Sequence, residues 1–236
     1  QLCKDFGSGN LGVYLRGFGL LLVEETVKYK WNFIDSSIKE LVKGELEGLF
    51  GLFLNENLSM RMKYSRIVAR VAIREWPQNW ATLTELLVGP SLFACDDRLN
   101  SFEMICLIFT DLSDEVFSHF TTVLGNGGMG CFEIEEERRG ELVRAISVIA
   151  ERIIPQVIFT LSQLTKNVDL SKENEATCKV ILNLCISSFL FSNAKLFFSD
   201  FQFISSSFSL LTNPRSSDSI LNLTVELVEL ICCRNY

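Results

Sequence analysis

The chain has 236 residues, 48% of them hydrophobic, with 19 Phe against 4 Pro and a formal net charge of −7. That length allows one large domain or a run of stacked repeats, and the apolar content calls for burial of most helix faces. The acidic balance argues against nonspecific nucleic-acid binding over the whole surface, which depends on many cation–phosphate contacts.

In chain order, Gln1 to Gly9 reads as a lead-in, and Asn10 to Trp31 as the first helix. Leu11, Tyr14, Leu15, Phe18, Leu21 and Leu22 make one apolar stripe on it; Val13, Leu20, Val23 and Val27 make another. Two stripes predict neighbours on both sides. Asp35-Ser36-Ser37 starts a second helix, with Ser37 and Glu40 at capping-box spacing, running to Phe53. After a turn at Asn55–Asn57, Met60 to Trp76 is amphipathic. Pro77 lacks an N–H and disfavours helical geometry in the residue before it, so the helix stops at Trp76. Thr82 and Glu85 have capping-box spacing, which restarts a short helix from about Trp80 to Val88. Trp76 and Trp80 flank this elbow, each able to bury a large surface.

Gly89-Pro90 and Asp96-Asp97 bound a loop. Arg98 to Phe120 is helical, with Phe102, Ile105, Cys106, Phe109, Leu112 and Val116 at helical spacing. Gly125 to Gly130 is the strongest linker signal, and the acidic run Glu133–Glu137 suits the start of a helix, where the dipole favours negative charge. The longest helix spans Glu137 to Lys166, with Leu142, Ile146, Ile149 and Ile153 on one stripe and Pro155 expected to kink or divide it. Asn167–Asn174 is turn-like, and Glu175–Phe191 is a helix buried almost all round. Phe197–Leu211 follows, with Phe201, Ile204, Phe208 and Leu211 on one face. Asn213-Pro214-Arg215 is a sharp turn before a final helix, Ser217 to Cys233. No strand pairing is legible. About nine to ten helices in short-looped hairpins, recurring about every 40 residues, predict an all-α fold: a right-handed α-solenoid of HEAT-like hairpins.

No apolar run reaches the ~18 residues that span a bilayer, so no membrane insertion is expected. The N-terminus carries no charged-then-apolar signal with a cleavage site. Gln1 is not a methionine and Leu227–Tyr236 still reads as helix, so the chain is expected to be part of something longer. The eight cysteines (Cys3, Cys95, Cys106, Cys131, Cys178, Cys185, Cys232 and Cys233) show no CxxC spacing, and His119 is the single histidine. That pattern argues against zinc and for reduced thiols, several packing as small hydrophobes. Gly7-Ser8-Gly9 and the Gly125–Gly130 loop lack the Lys-Ser/Thr ending of a phosphate-binding loop and follow no strand. Glu24-Glu25 and Glu135–Glu137 read as exposed polar faces. Nothing points to an enzyme or a cofactor.

Lys63, Arg66, Arg70 and Arg74 recur at three- and four-residue spacing and share one helix face. Such a stripe either meets phosphates or an acidic partner, or is a solvated outer face. Arg138, Arg139, Arg144 and Arg152 form a looser second set with the same two readings.

The run Arg74-Glu75-Trp76-Pro77-Gln78-Asn79-Trp80 resembles the hairpin turn of the exportin-one/importin-β-like domain of karyopherin-β nuclear transport receptors. Tyr14–Asn32 (YLRGFGLLLVEETVKYKWN) is most similar to the exportin-five group, plant members included. The resemblance is sharp from Tyr14 to Leu87 and looser beyond. It implies a HEAT-repeat superhelix, a hairpin region over 1–55 and the transport domain over 56–236, within a monomeric receptor shuttling between nucleus and cytoplasm past nuclear pore proteins. It also implies binding of Ran in its GTP form with cargo, here precursor RNA hairpins recognised by shape and backbone contacts; protein cargo, or a scaffold with no Ran dependence, are the alternatives. The first N-terminal repeat and the C-terminal repeats of a full receptor are expected to lie outside these residues. Inner-layer helices would include 35–53 and 137–166, making Lys39, Lys43, Glu47, Arg144 and Arg152 exposed-side candidates for Ran or cargo. Trp76, Pro77 and Trp80 are expected to be structural.

Overall fold

The computed structural model describes residues 10–88, 98–117, 134–166, 172–189, 195–198, 201–214 and 216–233. Among them every regular element is helical: α1 (Asn10–Lys30), a 3₁₀ turn (Trp31–Phe33), α2 (Ser36–Phe53), α3 (Leu58–Glu75), α4 (Thr82–Val88), α5 (Arg98–Phe117), α6 (Glu136–Lys166), α7 (Lys172–Phe189), α8 (Lys195–Phe198), α9 (Gln202–Thr212) and α10 (Asp218–Cys233). The fold is the all-α, HEAT-like class that the helix rhythm predicts. His119, Cys3, Cys95, Cys131, Gly7–Gly9 and Gly125–Gly130 lie outside the described residues. Among the described residues, no helix is long and apolar enough to cross a membrane.

The chain divides into two compact units, Gln1–Leu142 and Val143–Tyr236, the boundary falling within α6. In the first, α3 is the central element, packed against α1, α2 and α5. Its start is set by Asn57, whose side chain accepts from the Met60 N–H at 3.1 Å, satisfying one of the donors that a helix N-terminus leaves free. Its end comes one residue earlier than the sequence suggests. Trp76 is extended (φ −86°, ψ 146°), as a residue before proline prefers, and its N–H still closes onto Ala72. Between these ends Tyr64, Ile67, Val68, Ala69, Val71 and Ala72 are wholly buried. Tyr64 ties α2 to α3: its ring stacks on Phe53 at 4.8 Å and its hydroxyl donates to the Leu46 carbonyl at 2.7 Å.

Neither predicted capping box forms. Asp35 precedes α2 without a side-chain cap bond, and the Thr82 hydroxyl donates across to Glu47 of α2 rather than capping α4. Of the two stripes on α1, Leu20 and Val27 are buried, whereas Tyr14, Phe18, Leu21 and Leu22 are exposed. Val23, on the same stripe as Leu20 and Val27, is exposed as well, so the expectation of neighbours on both sides does not hold.

In the second unit α7 packs against α10, and α9 against both α8 and α10. Phe189, Phe197, Phe198 and Phe203 form one ring cluster with centroid separations of 5.2–6.5 Å. Pro155 leaves α6 a single helix. The predicted face of α9 is wrong. Phe201 precedes the helix and is 82% exposed, and Phe208 is 56% exposed; the buried side is Phe203, Ser206, Ser207 and Leu210. Phe203 is drawn in by the ring cluster, and the Ser207 hydroxyl tolerates burial because it donates to the Phe203 carbonyl at 2.9 Å.

Candidate interaction surface

The basic stripe on α3 divides along its length. Arg66 is exposed and Lys63 half-buried. Arg70 bridges two helices, its Nη1 lying 2.7 Å from Glu24 of α1 and its Nε 3.4 Å from Glu115 of α5. Arg74 donates to the carbonyls of Arg70 (2.7 Å) and Lys28 (3.4 Å). Burial lowers the pKa of its guanidinium, with Glu115 opposing. For Arg70 and Arg74 the structure therefore gives a third outcome, neither a phosphate contact nor a solvated face: they hold α1 and α5 to the central helix. Arg61, read as neither, is more buried still and pairs with Glu103 at 2.8 Å. Burial raises the Glu103 pKa while that guanidinium opposes the rise.

Around the elbow, side chains from distant parts of the sequence converge. The Trp76–Pro77 peptide is cis. Trp76 and Trp80 are both nearly inaccessible. Their indole N–H groups are satisfied, Trp76 donating to Thr84 Oγ1 at 2.9 Å and Trp80 to Glu47 Oε1 at 2.6 Å. Glu75, the last residue of α3, accepts from the buried Trp31 indole at 2.6 Å. Lys39 approaches the same carboxylate at 3.7 Å and sits over the Trp31 ring at 5.7 Å. Arg138, from the first turn of α6, closes the elbow from the other end of the unit. It donates to the carbonyls of Ile73 (3.2 Å) and Trp76, and to the Gln78 side chain, and it pairs with Glu141 at 3.2 Å. Gln78 in turn donates to Glu141.

This geometry revises the expected exposed set. Lys43 is a correction: only 2% exposed, it donates to Glu40 Oε1 at 2.6 Å and to the Asn79 carbonyl. A lysine can be drawn in this far because a carboxylate and an elbow carbonyl that needs a donor both meet its ammonium. Lys39 and Glu47 are half-buried and engaged as above. Arg144 and Arg152 are exposed on α6. Sequence spacing groups Arg138 loosely with these two, yet it belongs to the elbow; nothing in local sequence marks a partner some sixty residues upstream. The most accessible cations of the predicted sets are thus Arg66, Arg144 and Arg152.

The chain matches the family model "Exportin 1-like protein" over residues 58–226. It is similar to mouse Exportin-5, 28% identical over 185 residues, and to human Exportin-5, 26% identical over 184 residues; each alignment takes in 70% of this chain and 13% of the relative. Drosophila melanogaster Exportin-1 is 26% identical over 110 residues, 42% of this chain and 10% of that protein. The chain thus spans about an eighth of the length of the curated relatives it matches. The family match begins at the first residue of α3, includes the elbow and ends inside α10. Covering well over half of the residues, it establishes that the chain belongs to the exportin 1-like family.

Proposed function

We propose that this chain is a segment of a karyopherin-type nuclear export receptor, not an enzyme, that binds Ran in its GTP form together with cargo and shuttles between nucleus and cytoplasm. The observation that carries the reading is the exportin 1-like match over 58–226. The cargo we assign is RNA hairpins, met through shape and backbone contacts, on the resemblance of Tyr14–Asn32 to the exportin-five group. Within this segment Arg66 and Lys63 on α3, and separately Arg144 and Arg152 on α6, are the contacts we assign to Ran or cargo. Lys39 and Glu47 are assigned a supporting position, since both are already engaged at the elbow. The receptor acts as a monomer and meets nuclear pore proteins in transit.

A second reading, protein cargo, is favoured by the net charge of −7 and by the commitment of Arg70, Arg74 and Arg138 to internal contacts. One experiment separates these readings: hairpin-RNA binding by the complete receptor with Ran loaded with GTP or GDP. RNA export predicts markedly tighter binding with Ran-GTP, because cargo and GTPase must be positively coupled. Equal affinity in both states contradicts it. Charge reversal at Arg66, Arg144 and Arg152 together then reports on this segment: RNA affinity and its salt dependence should both fall.

A further inference from the structure

Ser65 is wholly buried on α3, and its hydroxyl meets two oxygens: the Met62 carbonyl in the preceding turn at 2.9 Å and the Asp111 carboxyl of α5. A hydroxyl has one proton to donate and two acceptor sites. With Asp111 ionised, both neighbours are acceptors competing for that proton. With Asp111 protonated, the acid donates to Ser65 Oγ and Ser65 donates onward to Met62, so each proton has its own acceptor. The charged groups facing the carboxyl are Arg66 from α3 and Asp114 and Glu115 from its own helix. Burial is the largest influence and pushes the Asp111 carboxyl up to about 6, with Asp114 and Glu115 adding to it; Ser65 opposes the rise wherever its hydroxyl donates to the carboxylate, and Arg66 opposes it too. The same α3–α5 seam carries the Arg61–Glu103 and Arg70–Glu115 pairs.

We propose that Ser65 and Asp111 form a proton-dependent clasp between α3 and α5, in which protonated Asp111 donates to Ser65 Oγ and Ser65 donates to the Met62 carbonyl, and that losing this proton loosens the seam. The sign follows from the proton's preference for the folded state. The folded chain holds it to higher pH than the unfolded chain, whose carboxyl titrates near about 3.9. The clasp therefore contributes fully below that value, and its contribution is lost as pH rises through about 6.

The test is an NMR titration of the Asp111 side-chain carboxyl in the full chain, as wild type and as Ser65→Ala. The clasp predicts a wild-type midpoint at least about one unit, tenfold in proton affinity, above the ordinary aspartate value. It also predicts a lower midpoint in Ser65→Ala, because the acid loses its acceptor. A smaller wild-type shift overturns the proposal. So does an unchanged or higher midpoint in Ser65→Ala, since a hydroxyl donating to the carboxylate would have been holding the midpoint down. Asp111→Asn gives a readout independent of that variant: its amide donates to Ser65 at every pH, so its melting temperature should vary less than wild type between about pH 4 and pH 7. Equal variation would also overturn it.

Discussion

The tryptophans of the first unit and the phenylalanine cluster of the second are secured by different means. In the first, Trp31, Trp76 and Trp80 are buried with each indole N–H given to a specific acceptor, Glu75, Thr84 and Glu47 respectively. Arg138 and Lys43 supply donors to the elbow's carbonyls. In the second, phenylalanine rings pack on one another, and the hydroxyls of Ser207 and Thr224 turn back onto their own helices. Polar partners fix direction as well as proximity, whereas apolar contact is non-directional. The contrast teaches why the elbow is a recognisable signature: several residue types there are each constrained by a different partner.

The sharpest way to break the first unit is Trp76→Ala, which removes a fully buried indole and leaves the Thr84 hydroxyl without its donor. A loss of about 3–5 kcal/mol is expected in urea unfolding. In the second unit, Phe203→Ala should cost about 3–4 kcal/mol and Phe208→Ala under about 1, because only Phe203 is enclosed. Similar values for the two would mean that α9 presents the face its sequence suggests. Lys43→Ala should cost about 1–3 kcal/mol, since it removes a buried ammonium that donates to Glu40 and to the Asn79 carbonyl. The smallest energetic effect but a clear chemical one concerns thiols. Burial pushes Cys178 and Cys185 up to about 12, so alkylation near pH 8, mapped by mass spectrometry, should spare them and modify exposed Cys232 and Cys233.

Much of the fold is legible in the sequence because it depends on apolar period and on breakers. Pro77 stops α3, and the α5 residues Phe102, Ile105, Cys106, Phe109, Leu112 and Val116 are all buried as their spacing predicts. The faces of α1 and α9 are not legible, because both helices carry apolar residues in excess of what their neighbours enclose. Ser206 and Ser207 can be buried only once their hydroxyls bond to a helix carbonyl or another partner, which composition does not reveal. The candidate surface is legible least of all. Arg70, Arg74, Arg138 and Lys43 read as free cations by local spacing; each is committed through contacts 36 to 65 residues away or along its own helix.

The central claim, that the elbow is held by polar contacts from distant helices, is tested most directly by denaturant unfolding of Arg138→Ala beside Arg152→Ala. Losing charge-assisted bonds to Ile73, Trp76 and Gln78 should cost about 2–3 kcal/mol. Arg138→Lys should restore less than half of that, because a point ammonium cannot reproduce the planar fork. Arg152→Ala, on an exposed face, should stay within about 0.5 kcal/mol. Equal, small effects at both arginines would contradict the account and return Arg138 to the exposed surface with which sequence spacing groups it.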